Sequence, residues 1–158
     1  MSSPEHKQKI WKMIKDIKVG MLVTLDHDTP RARPMHLVQD EYDGTLWFFP
    51  RRSAEKVFET KSDHDVCLSF SDQEDGVYVS LSGKANLTDN RELIEKYWNP
   101  FIAAWYDGKR DPKLRLLRLD LDHAHVWLNE HSLLAGIKMK FGNDPRKDYK
   151  DKTADISL

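Results

Sequence analysis

The sequence predicts a mainly β (α+β) fold: a closed antiparallel barrel with helices at its edges. Three observations predict it. Short apolar stretches with two-residue alternation recur along the chain. The clearest spans residues 77–82, where Val77, Val79 and Leu81 share one face and Tyr78, Ser80 and Ser82 the other. Turn clusters rich in Gly, Pro and Asp separate these stretches, Asp43-Gly44 among them. Helical periodicity is confined to a few short segments, and no parallel βαβ units are evident.

The elements follow in order. Residues 4–18 form the first expected helix. Ser3 suits the cap and Pro4 the first helical position, and Ile10, Trp11, Ile14 and Ile17 recur at helical spacing. Gly20 ends it. Residues 21–25 are a short apolar strand, 26–30 a turn cluster, and 31–39 the next strand. A third strand, Leu46-Trp47-Phe48-Phe49, follows a hairpin at Asp43-Gly44, so the three are expected to form a meander. Ser53 caps a helix running to residue 61. Residues 66–70 and 77–82 are strands, and Gly83 and Ala85 mark a bend or bulge. Asp89 or Asn90 caps a helix reaching Trp98. Asn99-Pro100 interrupts it, and residues 101–106 add a helical turn. Residues 113–122 alternate in part, and 123–129 are the last expected strand. Residues 1–140 are read as one domain and 141–158 as a polar, flexible tail, rich in Lys and Asp.

Composition narrows the function classes. The 158 residues allow a single domain with a real core. Apolar content of 39% and charged content of 32% suit a globular chain. A net charge of −1 argues against a general nucleic-acid binder, so no nucleic-acid partner is expected. No apolar run approaches the ~20 residues that span a bilayer, so no membrane partner is expected either. The single Cys67 cannot form an intrachain disulfide and fits a cytoplasmic location.

Candidate chemistry concentrates between residues 31 and 56. A basic strand with Arg31 and Arg33, the aromatic strand, and a turn with Arg51, Arg52 and Ser53 lead to a helix start carrying Lys56. Charge and hydroxyls suit a phosphate; ring-sized apolar surface suits a flat ring. A nucleic acid could use the same groups. Arg33, Ser53 and Lys56 are the sharpest set, with a solvated basic rim as the bland alternative. The seven glycines include no G-x-G, so the Rossmann fingerprint and P-loop are absent. His123 and His125 share a strand face as a metal pair would, but no carboxylate stands at metal-site spacing, and no metal is expected. Cys67 reads as a buried structural thiol. Trp98, Trp105 and Trp127 read as core, as an interface, or as a ring-stacking wall.

The motifs together carry a resemblance. They are Arg33-Pro34-Met35; Asp43-Gly44-Thr45-Leu46-Trp47-Phe48-Phe49; Ser53-x-x-Lys56; Val66-Cys67-Leu68-Ser69-Phe70; Tyr78 to Ala85; Trp98-Asn99-Pro100 with Ala104-Trp105; and Asp111-Pro112. In this order they resemble the general-stress-protein branch of the pyridoxamine 5'-phosphate oxidase-like, flavin-binding split-barrel proteins. The resemblance implies an antiparallel six-stranded split β-barrel with flanking helices, and a homodimer binding FMN at its interface, with FAD or a deazaflavin left open. It implies that Arg33, Pro34, Met35 and His36 lie along the flavin, with Phe48 and Phe49 beside it. Ser53 and Lys56 would hold the phosphate, and Trp98 and Trp105 would come from the partner chain. Pro50 stands where relatives carry a small hydroxyl residue, and offers neither hydroxyl nor N–H. The implied function is an FMN-binding general-stress-type protein with flavin-dependent oxidoreductase activity. A non-catalytic flavin sensor or store is the alternative, and a protein- or nucleic-acid-interaction module a more distant one. No catalytic pair is legible. His36 is the sole candidate proton donor, although alternation puts it on the face opposite Arg33 and Met35.

Overall fold

A computed structural model describes residues 3–51, 55, 58, 64–104, 106–128 and 153–158. In chain order the elements are α1 (Ser3–Ile14), β1 (Val19–Asp26), β2 (Thr29–His36), β3 (Thr45–Phe48), β4 (His64–Asp72), β5 (Val77–Thr88), α2 (Arg91–Tyr97), the single turn α3 (Pro100–Ala103), β6 (Leu116–Leu128) and β7 (Thr153–Ser157). The strands form one antiparallel sheet in the order β2-β1-β4-β5-β6-β3, with β7 added to β6. The mainly β, antiparallel expectation holds. The sheet has seven strands rather than six, and it is split rather than closed, because its end strands β2 and β3 do not pair.

The expected meander of the first three strands is corrected. β3 pairs with β6, not with β2. Asp43-Gly44 does turn the chain: Gly44 has φ 110°, and the Asp43 carboxylate accepts the Thr45 N–H at 3.1 Å. Residues 37–44, however, run outside the sheet. Gln39 explains how they can. Its buried side chain accepts the Trp47 N–H at 2.9 Å and donates to the Thr45 carbonyl at 2.8 Å. A neighbouring strand would otherwise have to satisfy those groups.

β6 runs unbroken through residues that the sequence divides into a partly alternating stretch and a strand. Along one edge it pairs with β5. Its other edge is shared, with β3 on residues 117–120 and β7 on residues 123–127. Between the two lies a bulge, since Ser82 faces His123 while Gly83 faces Leu121. Asp122 is the extra residue, and its carbonyl accepts the Leu158 N–H at 2.9 Å. The bend expected at Gly83 is therefore this bulge. Only glycine fits there, because a Cβ would lie 2.0 Å from the Asp120 carbonyl oxygen.

β7 lies within the segment read as a flexible tail. Its Ala154 and Ile156 are buried and its alternate residues face out. Two apolar residues among polar ones are a weak signal alone. The open edge of β6 supplies the hydrogen bonds that make the segment a strand.

Leu22, Phe48, Leu68, Leu81 and Val126 fill the barrel, and α1 packs on them through Ile10, Met13 and Ile14. A second cluster lies beneath α2, where Trp47 packs with Ile94, Leu114 and Leu116. β3 is thus buried on both faces, which accounts for its continuous apolar run. Asn90 caps α2 by accepting the Glu92 and Leu93 N–H groups, and Asn99 caps α3 by accepting the Phe101 N–H.

Candidate functional site

The split between the two sheet ends opens a cleft of about 790 Å³. One wall is the end of β2, with Pro34, Met35 and His36. β2 pairs only with β1, so its outer edge faces no strand among the described residues. Proline is tolerated there because an edge strand can omit a ladder donor. The opposite wall is the chain leaving β3, with Phe49, Pro50 and Arg51. The C-terminal end of α1 contributes Trp11, Lys15 and Lys18, and the segment around α3 contributes Phe101 and Tyr106.

The sequence-predicted residues divide among four places. Pro34, Met35, His36 and Phe49 meet in the cleft. Met35 is buried, while His36 is exposed at the rim. Arg33 is half-buried and turned elsewhere: its Nη1 donates to the buried Thr24 Oγ1 at 2.7 Å. The Phe48 side chain lies wholly in the barrel core, so its expected place beside a ligand is corrected. Alternation gives the reason, since Phe49 takes the opposite face. Trp98 is half-buried against the Trp47 cluster of its own chain. Ser53, Lys56 and Trp105 lie outside the described residues.

Tyr106 ties the two sides of the site together. Its hydroxyl donates to the Pro50 carbonyl at 2.8 Å, with Oε1 of the buried Glu55 at 3.3 Å. Pro50 lacks a donor, but its carbonyl anchors the α3 segment onto the end of β3. Phe101 stands across from His36, with ring centroids 6.5 Å apart and planes 11° from parallel. Sequence reasoning missed Lys15, Lys18, Phe101 and Tyr106. Each is unremarkable in its local pattern, and only the cleft gives it a ligand-facing position.

Behind the cleft, Tyr42 stacks on Trp11 at 5.9 Å. Burial above all, then the nearby Asp43 and Asp120 charges, pushes its phenol well above the ordinary tyrosine range. Elsewhere, Asp155 on β7 is the carboxylate that the sequence did not reveal beside the histidine pair. It contacts His123 Nε2 and lies 3.3 Å from His125 Nδ1. Among the described residues no group of three His, Cys, Asp or Glu side chains is arranged to hold a metal ion. Cys67 is half-buried, with its Sγ 3.3 Å from Ser80 Oγ. No helix of the described residues is long and apolar enough to cross a membrane.

Comparison with known proteins bears on this architecture. The profile of the family described as "Pyridoxamine 5'-phosphate oxidase like" matches residues 5–148. General stress protein 26 of Bacillus subtilis (strain 168) is 29% identical over 127 residues, covering 76% of this chain and 86% of that protein. The crystal structure of the general stress FMN/FAD binding protein from Xanthomonas citri superposes with a TM-score of 0.69 at 37% identity, covering 84% of this chain and 94% of that one. General Stress Protein 26 from Bacillus anthracis str. Sterne gives a TM-score of 0.65 at 23% identity over 77% of this chain and 93% of that one, a likeness of fold. A profile match across nearly the whole chain, joined to a split antiparallel sheet of the same shape, means that this chain belongs to the pyridoxamine 5'-phosphate oxidase-like family.

Proposed function

We propose that the cleft binds FMN, and that the protein is a flavin-binding general-stress-type protein acting as a homodimeric, cytoplasmic oxidoreductase. One observation carries the reading: an apolar-walled cleft lies at the split of the sheet, between an open strand edge and the Arg51 turn. Its volume of about 790 Å³ falls within the range of ligand pockets. Met35 and Phe49 offer apolar surface to the ring, and the open edge of β2 offers backbone groups to its polar rim. Arg51, with Ser53 and Lys56 close behind it in sequence, would take the phosphate. The name of the Xanthomonas citri relative supports a flavin without choosing between FMN and FAD; a single basic turn favours the ligand with one phosphate.

The flavin supplies the redox chemistry when bound. The chain's own part is to orient the ring and exclude water from its inner face. His36 at the rim is the nearest exposed group able to carry a proton. The homodimer is supported by the outer face of the sheet, where Met21, Tyr78 and Trp127 are exposed. The free Cys67 supports the cytoplasmic location.

Titrating the purified protein with FMN and identifying the released ligand by mass tests the first step. Saturable binding with a flavin spectrum is expected, and its absence sinks the reading. Anaerobic reduction with NAD(P)H then separates oxidoreductase from flavin store. Slow reduction is expected, because the described cleft residues include no paired acid and base. Light scattering at twice the chain mass checks the dimer.

A further inference from the structure

The pairing of His36 with Phe101 has no structural task that the fold requires. Phe101 is 85% exposed, the most exposed large apolar side chain described. Leaving a phenyl ring in water forgoes the stabilisation its burial would bring, about 1.5–3 kcal/mol. Nor is its position loose. Asn99 caps the turn by accepting the Phe101 N–H at 3.0 Å, and Pro100 fixes the first helical position. His36 is held as firmly on β2, opposite Val19 of β1, and the next residue, Leu37, donates its N–H to the Lys18 carbonyl at 2.8 Å. Two anchored rings therefore face each other at the cleft mouth, nearly parallel, with centroids 6.5 Å apart.

We infer that His36 and Phe101 form a slot for a second ligand, a flat aromatic ring that slides between them. A ring sandwiched by two others needs about 7 Å between the outer planes, from two contacts of roughly 3.5 Å. The slot is close to that width, and a small outward turn of the exposed Phe101 supplies the rest. Charge does not dominate recognition. Lys15 and Lys18 on this wall are matched by Asp16 and Asp40. The slot therefore selects for flatness and aromatic character, and an uncharged ring suffices. Its place at the rim leaves the inner cleft to the flavin proposed above, but it does not depend on that occupant.

The test uses 2-naphthol as the flat probe and decahydro-2-naphthol as the saturated control, titrated calorimetrically into the full chain. The titration is run on the protein as purified and again saturated with FMN. Saturable binding of 2-naphthol is expected in both, with decahydro-2-naphthol at least tenfold weaker. Phe101→Ala and Phe101→Leu should each weaken 2-naphthol roughly tenfold, the scale of one lost ring stack. The leucine variant separates ring stacking from simple greasiness. His36→Ala should act alike, and FMN affinity should stay within twofold in the Phe101 variants. No binding of 2-naphthol, equal binding of the saturated control, unchanged affinity in Phe101→Ala, or competition between 2-naphthol and FMN would each overturn the slot. Failure of FMN to bind while 2-naphthol still does would remove the flavin reading and leave the slot standing.

Discussion

The side-chain oxygen of Gln39 accepts the backbone N–H of Trp47 at 2.9 Å, eight residues along the chain. The same amide donates to the carbonyls of Thr45 at 2.8 Å and Glu41 at 2.9 Å. One buried side chain thus secures β3 on the side away from β6. It also lets residues 37–44 leave the sheet, and so holds the cleft open.

Gln39→Leu keeps the approximate volume and removes these bonds. The buried Trp47 N–H and Thr45 carbonyl then lose their partner, at about 1–3 kcal/mol each. We expect a lower urea midpoint with an unchanged slope, and weaker ligand binding in the cleft. A midpoint within error of the parent would show that water replaces the amide.

Gly83→Ala should be among the most damaging of conservative changes. The added methyl would meet the Asp120 carbonyl oxygen at 2.0 Å, and backbone on both strands must move. A cost of about 3 kcal/mol is expected, the upper end for overpacking. Thermal unfolding reads it directly. A negligible shift would mean that the bulge relaxes without strain.

Tyr42 sets an alkaline limit. Its hydroxyl is buried, with no hydrogen-bond partner among the described residues. Its folded pKa is raised above the unfolded value of 10.0. Above pH 10 the unfolded chain therefore releases the proton first. The stabilisation is complete below pH 10 and is lost as pH rises through the folded value, at up to about 1.4 kcal/mol per pH unit. Tyr42→Phe should be near neutral at pH 7 and should flatten this decline. Melts from pH 8 to 11 compare the two; parallel curves would show that Tyr42 ionises freely in the folded protein.

The phosphate assignment rests on Arg33, Arg51, Ser53 and Lys56. Losing a charge-assisted contact costs about 1.5–3 kcal/mol, or roughly tenfold to a hundredfold in affinity. Lys56→Ala and Arg33→Ala should each weaken FMN by that factor, with riboflavin much less affected in Lys56→Ala. Arg33 also holds the Thr24 hydroxyl, so Arg33→Ala carries a stability cost besides. Unchanged FMN affinity in both variants would place the phosphate elsewhere.

Much of the architecture was legible because its signals are local. The alternation of residues 77–82, the cap at Asn90, the glycine at position 83 and the apolar spacing of α1 depend on neighbours a few residues away. They predicted the antiparallel class and most elements. The stretch holding Pro34 to His36 and Phe49 was likewise legible as a ligand-facing hairpin, although no hairpin is there. Which strand β3 joins was not legible. Its apolar run fits any sheet position, and the choice of β6 over β2 turns on Gln39 and on the free edge of β6. β7 is the same case, because two apolar residues become a strand only where another strand offers hydrogen bonds. The opposition of His36 and Phe101 across 65 positions of sequence was beyond reach for the same reason. Sequence periodicity reports which side of an element is apolar, whereas the partner of that side is decided by contacts whose energy exists only after the chain has closed on itself.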